Sequence, residues 1–341
     1  MRIDFRVAVA IVALATVGTA CQSSGALLKT SEKEKAKKEA AKPVCLNGKE
    51  FPAKMDEDSP AVAVKVENDP AARPQSGLEQ ADIVYEEIVE GGITRFMAIF
   101  HCGDAKKVGP IRSARFDDPK IALPFTNTLA YSGANSIVQK ELRKRGIMSI
   151  TEGMMGAPLF RYPTGSTSVH SVHASTKVLR KYVPKKADPP AFDVFPRGDV
   201  PDGAKKAKLV SLNFEDSNTI EYVYKKGVWY RAEGGSPFLA AAGKQITTPN
   251  LLVQQVRVDN SKKIVDIEGN PSPDIHLKGK GLALLFRDGK VVKGQWRIRK
   301  EGRPPVFKTK KGDAMTFAKG SIWIELVPSR EGNVKGRIAF K

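Results

Sequence analysis

The chain has 341 residues, with 56 Lys+Arg against 37 Asp+Glu and a formal net charge of +19 at pH 7. That length holds two domains with full cores, since single domains centre on ~100–150 residues. The charge suits an anionic neighbourhood such as membrane headgroups, wall polymers or nucleic acid, and three cysteines without a CxxC pattern give no support to a metal centre.

Met1 to Ala20 sets Arg2 and Arg6 ahead of the apolar run Val7 to Ala20, ending Gly18-Thr19-Ala20 before Cys21. A positive start, an apolar middle and small residues at the cut form a secretory signal peptide, residues 1–20, too short for a comfortable transmembrane helix. Cys21 directly after them marks a lipoprotein cleavage box, where the thiol takes a diacylglyceryl group. Simple secretion with a cut after Ala20 is the alternative. Export argues against nucleic acid as a partner. Residues 21–43, with the run SEKEKAKKEAAK, are polar and lysine-rich and read as a tether. Beyond them stand Cys45 and Cys102, which in an oxidising setting imply one disulfide, two buried free thiols being the alternative.

Ala61 to Val66 has the pattern of a strand, stopped by Glu67-Asn68-Asp69-Pro70. Ala81 to Glu90 and Ile93 to Phe100 are two β-rich runs joined by Gly91-Gly92, a hairpin. With a two-residue loop, Ile88 lies opposite Arg95 and Glu90 opposite Ile93. Period two then sets Glu86, Ile88 and Glu90 on one side, with Arg95 diagonal to both carboxylates, and Tyr85, Val89, Phe96 and Ala98 on the core side. Such a set is either a site or a solvated ladder of ion pairs, each worth ~0–1 kcal/mol. Downstream, Arg112 and Arg115 flank Ser113; at a helix start that spacing presents both guanidiniums on one face, an anion seat.

The chain continues with a short buried strand at Leu129 to Gly133, an amphipathic helix from Ser136 stopped by Gly146, and a loop at 151–176 holding Arg161, His170 and His173. No third ligand accompanies the two histidines, so no metal or cofactor is assigned. The proline- and charge-dense segment 185–206 separates an N-terminal mixed α/β domain, residues 44–190, from a smaller, mainly antiparallel β domain, residues 207–341. The class is therefore α+β. Asp288-Gly289 signals a hairpin in the second part, and Trp229, Trp296 and Trp323 are read as core aromatics, with glycan stacking as the minority reading.

The string AVKVENDPAARPQSGLEQADIVYEEIVEGGITRFMAIF, followed by VGPIRSAR and later by GLALLFRDGKVVKGQW and GSIWIELVP, resembles the YerB-like family of bacterial lipoproteins, whose two halves are domains of unknown function. The likeness runs from about Cys45 to the end. It implies a shared cleft drawn from Asn68, Arg73, Pro74, Gly77, Asp82, Glu86, Glu90, Thr94, Arg95, Gly109, Pro110, Arg112, Ser113 and Arg115. Where the family often carries a Pro-His-Asn segment this chain reads Ser171-Val172-His173, which makes His173 a further candidate.

No standard catalytic motif is present. The first expectation is a lipoprotein anchored through its N-terminal lipid to the outer face of the cytoplasmic membrane, binding an anionic wall polymer or cell-wall proteins. The second is a hydrolase or transferase on such a polymer, with Glu86 or Glu90 as acid/base and Arg95, Arg112 and Arg115 holding an anionic group.

Overall fold

A computed structural model describes residues 44–341 apart from 185–186, 188–189, 192–193, 216–218 and 267. The leader, the tether and Cys21 lie outside the described residues.

The frame is an 11-stranded sheet. Its N-terminal strands are β1 (Val62–Glu67), β2 (Ile83–Ile88), β3 (Thr94–Phe100), β4 (Thr128–Ala130) and β5 (Met148–Ile150). They lie in the order β2, β3, β1, β4, β5, with β4 and β5 parallel to β1 and the hairpin partners antiparallel. On the far side of β2 the sheet continues through Ile322–Glu325, Asn250–Gln254, Gly279–Arg287, Lys290–Ile298 and Val306–Thr309. The parts read from sequence as separate domains therefore share one sheet: Ile322–Glu325 pairs in parallel with β2 on one side and with Asn250–Gln254 on the other.

Both faces of this sheet are covered at its central strands, which is why VAVKVE and IVYEEI are buried along their whole length, charges included. A 6-stranded sheet centred on Leu209–Phe214, Thr219–Lys225 and Val228–Glu233 packs on one face. Its aromatics interlock with the main sheet, Trp229 on Phe286 at 5.6 Å and Phe238 on Phe96 at 5.8 Å, edge to face as ring quadrupoles prefer. The other face carries the short helix Asp118–Ala122, and Phe125, three residues past its end, meets Tyr85 at 6.1 Å.

Local chemistry explains the individual elements. Asn135 caps the helix Ser136–Lys144 by accepting from Val138 N, and Gly146, at φ 74°, ends it. Asp288 and Gly289 both take positive φ between Arg287 and Lys290, which are paired, so this is the tight turn that matches strand twist. Trp229, Trp296 and Trp323 are buried in the core. Cys45 and Cys102 are bonded to one another, with Cα atoms 5.7 Å apart. The bond ties the start of the described chain to the exit of β3.

Candidate functional site

The hairpin of β2 and β3 decides which side chains meet, and its turn is one residue longer than Gly91-Gly92 implies. Val89 N donates to Ile93 O at 2.8 Å, and Glu90–Gly92 form a single 3-10 turn with Gly91 and Gly92 at φ 74°. Ile88 pairs with Thr94, Glu87 with Arg95 and Glu86 with Phe96. A one-residue change of register moves every side chain of one strand to the other face. Arg95 therefore shares its face with Tyr85 and Glu87, while Glu86 shares the opposite face with Thr94 and Phe96. The expected grouping of Glu86 with Arg95 and Glu90 is corrected accordingly.

On the face of Arg95, at the loop end of the hairpin, a hollow of about 790 Å³ is lined by Arg95, Arg112, Ser113 and Arg115 together with the carboxylates of Glu67, Asp69, Glu90, Asp266 and Glu268 and the amide of Asn270. The segment 112–115 is not a helix start. It runs extended, held by Arg112 N to Lys65 O at 3.0 Å and Ala114 N to Gly133 O at 3.0 Å. The two arginines converge because carboxylates draw them in. Arg112 Nε donates to Glu67 Oε1 at 2.7 Å, and Arg115 Nε donates to Glu90 Oε2, whose other oxygen accepts from Ser272.

Arg95 differs from both. It is 5 % exposed, its Nη1 donates to Ser113 O at 2.8 Å, its Nε has no partner, and among the described residues it makes no ion pair. Burial holds this guanidinium below its ordinary range, Arg115 and Arg112 add to the effect, and Glu90 and Glu67 oppose it. Under it, Lys65 is clamped between Glu87 and Asp118, the latter at 2.7 Å, and burial lowers the lysine to about 8. The floor is thus a layer of buried charge, in which Arg95 is the cation without a carboxylate.

His170 and Glu67 were not singled out as a pair by the sequence. His170 Nδ1 lies 2.8 Å from Glu67 Oε2, so Glu67 bridges the histidine and Arg112. The signals were present, since Glu67 ends β1 opposite Arg95 and His170 stands in the irregular loop, but nothing in the spacing joins them. His173 sits elsewhere. It is buried against Phe160 and Tyr162, close under Gly109, and its Nδ1 faces Ser171 O at 2.9 Å. Burial lowers its pKa, and it packs a turn rather than lining the hollow.

Asn68, Arg73 and Glu86 form a second cluster on the opposite face. Arg231 Nη2 donates to Glu86 Oε2 at 2.9 Å and to Glu233 Oε2 at 2.8 Å, Asn68 Nδ2 donates to Thr94 Oγ1 at 2.8 Å, and Arg73 reaches Glu233. Glu86 and Arg231 are each 0 % exposed, and the Arg231 guanidinium lies 3.9 Å from the Phe238 ring centre. Burial and Glu86 raise the neighbouring Glu325 carboxyl far above the usual range. This is a largely buried ionic joint between the N- and C-terminal parts. Asp82 lies at the far end of β2, where its Oδ2 accepts from the backbone N–H groups of His101, Cys102 and Gly103 at 2.7–3.0 Å. It caps a turn beside the disulfide and has no part in the hollow.

The shared sheet, the ionic joint and the arginine hollow are carried by segments that coincide with a known pair of domains. Residues 46–189 match the N-terminal domain, and residues 210–324 the C-terminal domain, of the family described as "Protein of unknown function (DUF3048)". The chain belongs to this family. It is 30 % identical over 318 residues, 90 % of each chain, to the Bacillus subtilis (strain 168) protein named "Putative lipoprotein YerB". The crystal structure of YerB protein from Bacillus subtilis superimposes with a TM-score of 0.71 at 27 % identity, covering 88 % of this chain and 100 % of that one.

Proposed function

We propose that this protein is an exported, membrane-anchored lipoprotein of the cell envelope that holds an anionic group of a wall polymer, or of a cell-wall assembly, in the hollow at Arg95, Arg112 and Arg115. The observation that carries the reading is Arg95, a buried guanidinium with no carboxylate partner among the described residues, beside two others. A buried charge is costly unless paired, and phosphate or carboxylate is the natural match for a guanidinium fork. Arg112 and Arg115 each spend Nε on a glutamate, and among the described residues Arg112 Nη1 and Nη2 make no hydrogen bond. The leader with Cys21 and the net charge of +19 support an anionic envelope setting.

A hydrolase or transferase working through Glu86 finds no support in this geometry, because Glu86 is 0 % exposed and held by Arg231. Glu90 is engaged as an acceptor by Arg115 and Ser272, which favours an anchor over a proton donor.

The test is retention of purified wall fragments by wild type, Arg95→Met and Arg112→Ala across a salt series. Binding that is lost with salt and weakened about tenfold or more by either substitution supports the reading. Release of fragments by wild type that disappears in Glu90→Gln replaces it with the enzymatic one.

A further inference from the structure

A second basic concavity lies well away from the hollow. It has a volume of about 910 Å³, and Lys280, Arg297, Arg299, Lys300, Arg303 and Lys308 line it with no Asp or Glu among the lining residues. Its walls are the strands Gly279–Arg287, Lys290–Ile298 and Val306–Thr309 at the edge of the main sheet. Lys280 pairs directly with Arg297, and Gln295 with Lys308. Like charges directly opposite one another destabilise a sheet, yet among the described residues none of these six cations makes an ion pair.

Register places this groove relative to the rest. Glu86 aligns with Glu325, then Val253, then Leu284, and two and four residues back from Leu284 are Leu282 and Lys280. The outward cations therefore occupy the sheet face of Glu86, opposite to that of Arg95, and the two basic sites are separate. The groove also lies at the other end of the strands from Asn47, whose O accepts from Gly320 N just before Ile322–Glu325.

We propose that the groove binds a linear polymer of phosphodiester groups joined by short carbon spacers. The proposal rests on the reading of an anionic envelope polymer as ligand, and it names the class of that polymer. Diagonal neighbours on adjacent antiparallel strands are ~7–8 Å apart, so Arg297 and Lys308, which lies two residues beyond its partner Val306, suit anions recurring at about that interval. Between Arg297 and Lys308, Val306 is 52 % exposed and lines the groove, apolar ground for the spacers. Phosphate oxygens bridge cations on adjacent strands, as at Lys280 and Arg297.

The probe is a fluorescently labelled synthetic oligo(glycerol phosphate) of about ten repeats, followed by anisotropy over a salt series. Wild type is compared with the triple variant Lys280→Gln, Arg297→Gln, Lys308→Gln and with Arg112→Ala. All three groove positions are exposed, so the triple variant keeps its fold, checked by its melting curve. The expected result is binding by wild type that weakens steeply with salt, and at least a tenfold loss with a salt slope shallower by about 2 in the triple variant. Unchanged binding by the triple variant overturns the proposal. So does equal binding of poly-glutamate, or groove-dependent binding to vesicles of phosphatidylglycerol and phosphatidylcholine without binding of the oligomer. Loss in Arg112→Ala alone leaves the hollow standing and removes the groove; loss in the triple variant alone does the reverse.

Discussion

Replacing Arg95 by methionine separates a guanidinium kept for a ligand from one kept for the fold. The substitution keeps an unbranched apolar stem within the sheet and removes the guanidinium with its charge. On the debit side for stability, one charge-assisted hydrogen bond to Ser113 O is lost, worth about 1.5–3 kcal/mol. Against this stands relief from burying an ion with no carboxylate partner beside Arg115 and Arg112, a desolvation cost of several kcal/mol. The expected net change lies between zero and about 2 kcal/mol of stabilisation. Ligand binding should move the other way: loss of one or two charge-assisted bonds weakens affinity about 10- to 100-fold. Urea denaturation followed by tryptophan fluorescence reads the first quantity, since all three tryptophans are buried and become wet only on unfolding. Retention of wall fragments reads the second. A variant destabilised by more than about 2 kcal/mol with binding intact would show that Arg95 serves the sheet, and the argument for the hollow would fail.

Arg231→Met should behave in the opposite sense, costing about 3–5 kcal/mol in the same denaturation assay, because Glu86 is left as a buried carboxylate without its cation while Glu233 keeps only Arg73 of its two arginines. His101 governs acid stability: burial lowers it to about 4, Leu46 N donates to its Nδ1 at 3.2 Å, and its Nε2 faces Ser59 O at 3.1 Å. The folded pKa is below the unfolded value, so its contribution is complete above pH ~6.5 and is lost as pH falls through about 4, roughly 3 kcal/mol in all; melting temperatures of His101→Gln should fall less across that window. Replacing Cys45 and Cys102 together by alanine should cost about 4 kcal/mol for a closed loop with a sequence separation of 57, read as a lowered urea midpoint. Cys21→Ala should move the protein from the membrane to the soluble fraction on cell fractionation, and retention in the membrane would count against lipid anchoring.

Local chemistry was legible in the chain where it is self-contained. The helix from Ser136 with its stop at Gly146, the Asp288-Gly289 turn and the buried tryptophans follow from spacing and turn residues alone. The hairpin was legible as a hairpin but not in register, because Gly91-Gly92 reads as a complete loop whereas Glu90 also enters the turn. That single residue exchanged the faces of Glu86 and Arg95. The helix expected at Arg112 failed for a related reason: the segment fills its hydrogen bonds from Lys65 O and Gly133 O, partners far off in the chain. Arg231 was out of reach altogether, since it meets Glu86 across 145 residues and no local pattern marks it. The arginines of the hollow were found because charge density is visible in a sequence; what separates Arg95 from its neighbours is burial, which is not.

The central position of Ile322–Glu325 has a consequence for how this molecule can be made and cut. Until those residues have been synthesised and delivered, β2 has a bare inner edge on which any extended peptide could add itself. A fragment ending between the two family segments would expose that edge permanently and is expected to clump rather than act as a free-standing module. Proteolysis in the connecting segment would, by the same logic, nick the molecule without releasing its halves.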